Sequence, residues 1–139
     1  MEKKGFTLIE LMVVIFIAGI LAAAAIPIMR GRIDSAKWAE GKDAAGSIRT
    51  AARAFCAEKS PDWTGNWARV TLADLGFNIT PGTGGGDLDG RYFTDEAYRI
   101  QLSGYNRYII TVRAQFSLSA EAPSSPAVVM LNQDGTWTP

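Results

Sequence analysis

The stretch MEKKGFTLIELMVVIFIAGILAAAAIPIMR, residues 1–30, decides how the rest of the chain is read. Residues 11–29 pass without a charge, and Leu8 and Ile9 extend the apolar run beyond a single interruption, Glu10. At about 1.5 Å of rise per residue, roughly 20 apolar residues in a helix cover a hydrocarbon layer of about 30 Å. The pattern predicts a membrane-spanning helix with one carboxylate near its start. An ionisable group at such a depth is costly and marks a functional residue by default. Two ordinary readings compete with this one. A cleaved secretory signal would use small residues such as those at 22–25 before its cut, but its apolar core runs about 7–15 residues, shorter than here. A plain single-pass anchor needs no carboxylate at all.

KKGFTLIELMVVIFIAGILAAAAIP, residues 3–27, resembles the class III signal and N-terminal helix of type IV pilins and the related pseudopilins. The likeness covers roughly residues 3–30, long enough for a motif to be specific. It implies that a membrane aspartyl peptidase, the prepilin peptidase, cuts between Gly5 and Phe6. Phe6 then becomes the N-methylated first residue. Glycine at the cut leaves the backbone open to the peptidase. The resemblance also implies that Glu10 meets the N-terminal amine of a neighbouring subunit. A charge pair is strong in low dielectric, although desolvation offsets much of the gain, so its value lies in axial registry.

From this follow the expected divisions: a leader at 1–5, a transmembrane and assembly helix at 6–29, and a globular domain at 30–139. The leader would lie in the cytoplasm and the globular part outside the inner membrane. Assembly would carry the chain into an extracellular pilus or a periplasmic pseudopilus. The implied partners are further copies in a helical filament, the peptidase, the assembly platform of the inner membrane, and the membrane itself. A pilus subunit is the first reading and a pseudopilin of a type II secretion system the alternative. From a different class, a membrane-anchored ligand-binding module would use Trp63, Trp67 and the glycine loop.

The 139 residues carry no formal net charge, and removal of residues 1–5 leaves 12 basic and 13 acidic side chains. Composition thus indicates no nucleic-acid partner. The absence of histidine removes histidine-based triads, most zinc sites and the commonest general base, and no nucleophile–base constellation appears, so an enzyme is not expected. Cys56 is the single cysteine, which excludes an intrachain disulfide. Many pilins staple their C-terminal region with a cysteine pair; this chain departs from that and must pin the segment otherwise.

Pro27 within the helical pattern removes a hydrogen bond to the Ala23 carbonyl and predicts at least a kink. Gly19 and Pro27 bracket a weakened segment, 20–26, which in related filaments resembles a melted stretch. Beyond Arg30 the pattern turns amphipathic, with Gly41, Ala44, Ile48, Ala51 or Ala52, and Phe55 forming a stripe. Arg32, Asp34, Lys37, Glu40, Lys42, Asp43, Arg49 and Arg53 fill the other faces as a solvated or subunit-facing surface. Ser60-Pro61 stops the helix, giving one element over residues 6–59.

Residues 60–90 read as a connecting region. Thr71 and Gly76 bound a capped helical turn, Trp63 and Trp67 cover the core, and Pro81-Gly82-Thr83-Gly84-Gly85-Gly86 is a loop. Asp87 and Asp89 form a solvated turn, with a shared calcium ion as the alternative, although the spacing lacks the further ligands of an EF-type loop. No other cofactor is implied. Residues 98–102 and 108–116 alternate apolar and polar around a hairpin at 103–106. A loop at 118–126, a third strand at 127–131 and an Asp134-Gly135 turn into Trp137 complete residues 91–139. The expected fold class is α+β: a long N-terminal helix, its second half packed on an antiparallel sheet of three to four strands. That layout also resembles the pilin fold.

Overall fold

The computed structural model describes residues 5–114 and 122–139. Two compact units divide the chain, Met1–Ile33 and Asp34–Pro139. One helix, α1, runs Leu8–Lys59 and contributes to both. It starts at Leu8 rather than at Phe6 because Thr7 caps it. It is helical through Pro27.

In the second unit α1 buries Trp38, Gly41, Ala45, Ile48, Ala52 and Cys56, a stripe at steps of three and four. This corrects the sequence reading in three places. Ala45 and Cys56 take the core positions assigned to Ala44 and Phe55, and Trp38 extends the stripe toward the N-terminus. The cause is the sheet, which selects the face one residue further round the helix. Gly41 has a packing reason: a side chain there would meet the Phe93 ring at 3.0–3.3 Å. The same ring lies 5.0 Å from that of Trp38. Helix α1 stops at Ser60, whose N–H donates to the Cys56 carbonyl at 3.2 Å and whose φ is +67°.

The sheet is a four-stranded antiparallel meander of β1 (Tyr98–Gly104), β2 (Arg107–Arg113), β3 (Val128–Asn132) and β4 (Trp137–Thr138). Register aligns Ile100, Ile110, Leu131 and Trp137 in one inward row, with Tyr98, Val112 and Val129 in the next. Period two puts Tyr108, Ile110 and Val112 inside, each at most 1% exposed, and Arg107, Ile109 and Thr111 on the opposite face. Strand β2 ends at Arg113, and Ala114 lies in a turn rather than continuing it; the rest of the expected continuation, 115–116, and residues 118–121 of the expected loop lie outside the described residues. The α+β expectation holds, with four strands because the turn after Asn132 adds Trp137–Thr138 as an edge.

The last hairpin is pinned without a disulfide. Arg49 of α1 donates through Nη2 to the Gln133 carbonyl at 3.1 Å, and Lys42 lies 5.6 Å from the Trp137 ring centre. Gly135, at φ +94°, lets the turn approach, since a Cβ there would meet the Arg49 guanidinium at 3.1–3.5 Å. Cys56, 1% exposed, is buried packing.

Candidate functional site

The first unit presents its apolar side chains outward. None of the most apolar 18-residue window of α1 is buried, and Phe6, Leu8, Ile15 and Phe16 are 83%, 78%, 65% and 70% exposed. Such a surface is unfavourable in water and demands an apolar surround. Gly5 and Phe6 precede the helix. Glu10 sits in its first turn, where Oε2 accepts the Thr7 backbone N–H at 2.9 Å and the Thr7 hydroxyl at 2.7 Å. Thr7 Oγ1 in turn accepts the Glu10 N–H at 3.3 Å. This is a capping box, in which a Thr and a Glu three residues apart satisfy each other's helix-end donors. The spacing Thr7-Leu8-Ile9-Glu10 carries that signature in the sequence itself, where reading Glu10 as an intermolecular partner obscures it. Gly19 has open space where a side chain would stand and lies among Met12, Val13, Phe16, Ile20 and Ala23, which line a shallow apolar depression.

Asp87 and Asp89 both accept backbone donors. The Asp87 carboxylate accepts the Asn78 N–H at 2.8 Å. Asp89 accepts the Asp95 N–H through Oδ1 and the Gly86 N–H through Oδ2, both at 2.9 Å. The Asp95 amide is the main cause holding the Asp89 carboxyl below the usual carboxylate range, with burial opposing and the Gly86 amide adding. Among the described residues no group of three or more His, Cys, Asp or Glu side chains is placed to hold a metal ion.

Two further carboxylates, which no sequence motif marks, organise this region. Asp95 is 2% exposed and accepts the Thr80 N–H at 2.8 Å and the Leu88 N–H at 3.2 Å. A side chain at Gly86 would collide with the Asp95 carboxylate, which accounts for that glycine. Glu40 reaches from α1 to three consecutive backbone donors, Arg91, Tyr92 and Phe93, at 3.2, 2.8 and 3.1 Å. Each is a charge-assisted bond to a backbone donor. Neither residue is legible beforehand, because their partners lie 7 to 53 positions away.

Trp63 and Trp67 pack edge-to-face at 4.7 Å and lie 5.9 and 6.4 Å from Phe55. They are half-buried against the core, as a rim rather than a flat exposed platform.

The Prokaryotic N-terminal methylation motif matches residues 1–26. Fimbrial protein Q of Moraxella bovis is 42% identical over 140 residues, covering 98% of this chain and 84% of that protein. Fimbrial protein EcpC of Eikenella corrodens is 42% identical over 71 residues, 51% of this chain and 46% of its own length. Type IV major fimbrial protein FimA of Dichelobacter nodosus is 51% identical over 47 residues, 34% of this chain and 29% of its own. No solved structure matches the chain significantly. A likeness that begins at the methylation motif and continues across nearly the whole chain, on a helix-and-meander fold, places this chain in the type IV pilin family.

Proposed function

We propose that the chain is a structural subunit of a type IV pilus. It would be held in the inner membrane by residues 6–29, cut after Gly5, methylated at Phe6, and assembled with further copies helix-to-centre through the assembly platform. The observation that carries this reading is the unburied apolar half of α1, which needs either lipid or other helices around it. Moving the segment from one apolar surround to the other exposes little to water, so a filament can grow from the membrane and dissolve back into it. The fimbrial relatives support a pilus over other uses of such a helix.

Glu10 would have two partners in succession. Thr7 of its own chain satisfies it in the monomer. The amine freed at Phe6 of a neighbour would then add a positive partner that only one axial offset supplies. Glu10→Ala removes the charge from the span, and on an insertion scale of about 2.5–3.5 kcal/mol for a mid-helix charge it should ease membrane residence, by less here near the helix end. Cleavage should continue, and the mature mass should begin at Phe6, while filament yield after shearing falls. Glu10→Gln should behave like alanine. A mature N-terminus near Ala25, or full filament yield from cleaved Glu10→Ala subunits, would overturn the assignment.

A further inference from the structure

The capping box at the start of α1 begins one residue beyond the Gly5–Phe6 bond. Gly5, Phe6 and Thr7 are exposed and stand outside the helix. The first backbone bond of α1 runs from the Leu11 N–H to the Thr7 carbonyl at 3.3 Å, which makes Thr7 the N-cap residue. In a helix one residue longer, the Glu10 N–H would reach back to the Phe6 carbonyl. In one longer by two, the Ile9 N–H would reach the Gly5 carbonyl. Here Thr7 Oγ1 accepts the Glu10 N–H at 3.3 Å, and Glu10 Oε2 accepts the Thr7 N–H at 2.9 Å. The Thr7 hydroxyl therefore competes for the donor that would carry α1 toward Gly5. Beyond its chain neighbours, no described residue stands within 4 Å of where a Gly5 side chain would be, so the bond is approachable.

We infer, resting on the cut proposed above, that Thr7 is a positioning residue for cleavage: its side-chain cap stops α1 short of the Gly5–Phe6 bond and presents that bond unwound to the peptidase. Hydrolysis adds a hydroxyl to the Gly5 carbonyl carbon, breaks the carbon–nitrogen bond and leaves the nitrogen, with an added proton, as the amine of Phe6. A carbonyl held inside a helical turn resists this attack, because its oxygen already accepts an N–H and the neighbouring turn covers it. Cleavage of such a bond then follows the population of the opened form. Without the Thr7 hydroxyl, the next residue suited to the N-cap is Gly5 itself, since Phe6 carries no acceptor and glycine is tolerated there. Extension costs little once a helix of 52 residues is nucleated. An apolar surround favours it further, because helix bonds satisfy backbone groups that lipid cannot. Loss of the cap would thus draw the Gly5 carbonyl into the first turn. Glu10→Ala leaves the Thr7 hydroxyl as acceptor for the N–H of position 10, in keeping with the continued cleavage expected of that variant.

The test incubates the full-length chain in non-ionic detergent with purified prepilin peptidase and follows the mass of the mature chain at limiting substrate. Thr7→Ser and Thr7→Asn keep an N-cap acceptor and should be cut within about two-fold of the wild-type rate. Thr7→Val keeps the shape without the acceptor and should be cut about five-fold more slowly, the population change that one ordinary cap makes. Thr7→Ala should match Thr7→Val. Backbone carbon chemical shifts of Gly5 and Phe6 in the same detergent should be non-helical in the wild type, Thr7→Ser and Thr7→Asn, and move toward helical values in Thr7→Val. Normal cleavage of Thr7→Val with slow cleavage of Thr7→Asn would overturn the inference, since the peptidase would then be reading residue 7 by its shape. So would slow cleavage of Thr7→Val with Gly5 and Phe6 still non-helical. A wild-type chain left uncut between Gly5 and Phe6 would overturn the proposed processing as well, and that failure shows before any variant is compared.

Discussion

Glu40→Ala removes the acceptor for three consecutive amides with one substitution. Its Oε1 takes the Tyr92 and Phe93 N–H groups at 2.8 and 3.1 Å, and its Oε2 takes that of Arg91 at 3.2 Å. The Arg91 bond is exposed, so that donor returns to water at little cost. The other two lie in part-buried surroundings, where a donor left without a partner costs about 1–3 kcal/mol. Partial access to water puts the pair near the lower half of that range, about 2–4 kcal/mol together. Alanine's helix preference restores a few tenths of a kcal/mol. Glu40→Gln keeps an oxygen for Tyr92 and Phe93 but turns an amide toward Arg91, and should cost about 1 kcal/mol. Gly90 supplies a control, because a methyl group there would occupy the place of Glu40 Oε1. Gly90→Ala should therefore destabilise alone yet add little to Glu40→Ala, a coupling that a double-mutant cycle reads directly. The assay is urea unfolding of the full-length chain in detergent, followed by near-ultraviolet circular dichroism, to which Trp38 beside Phe93 contributes. A loss below about 0.5 kcal/mol in Glu40→Ala, or full additivity with Gly90→Ala, would refute the reasoning.

Stability should be level between about pH 4 and pH 10 and fall on both sides. On the acid side, Asp34, Asp74, Asp89 and Asp134 are held below their usual range by hydrogen bonds from Ser124, Thr71, Asp95 and Thr136 respectively. The unfolded chain therefore takes up protons first as pH drops, and Asp89→Asn should flatten that limb. On the alkaline side, burial and then Glu40 push the Tyr98 phenol upward, so the unfolded chain loses its proton first and Tyr98→Phe should flatten that limb. Arg49→Ala, which releases the exposed Gln133 carbonyl to water, should cost about 0.5–1.5 kcal/mol in chemical unfolding and raise hydrogen exchange first at 128–138. In assembled filaments, residues 19–27 should be the least helical part of α1, given the lost Ala23 partner and a glycine penalty of about 1 kcal/mol; a filament map with unbroken helix there would rule this out.

What residues 1–30 determine by themselves follows from contiguity. An apolar run with one acid at its start, the methylation motif that spans residues 1–26 and a helix-breaking Pro61 beyond it are local features, and local chemistry suffices to read them. Alternation in β1 and β2 is equally legible, because a strand's two faces are written in adjacent residues. The exact helix face is not, since Ala44 and Ala45, or Phe55 and Cys56, are nearly equivalent to an isolated helix, and only the sheet laid against it chooses. Glu40, Asp95 and Arg49 read as ordinary surface charges in sequence. Tertiary structure makes them anchors by bringing backbone donors and an acceptor from distant segments within hydrogen-bond reach. Composition counts charges but cannot say which of them the backbone has already claimed, because that depends on contacts that exist only once the chain has folded.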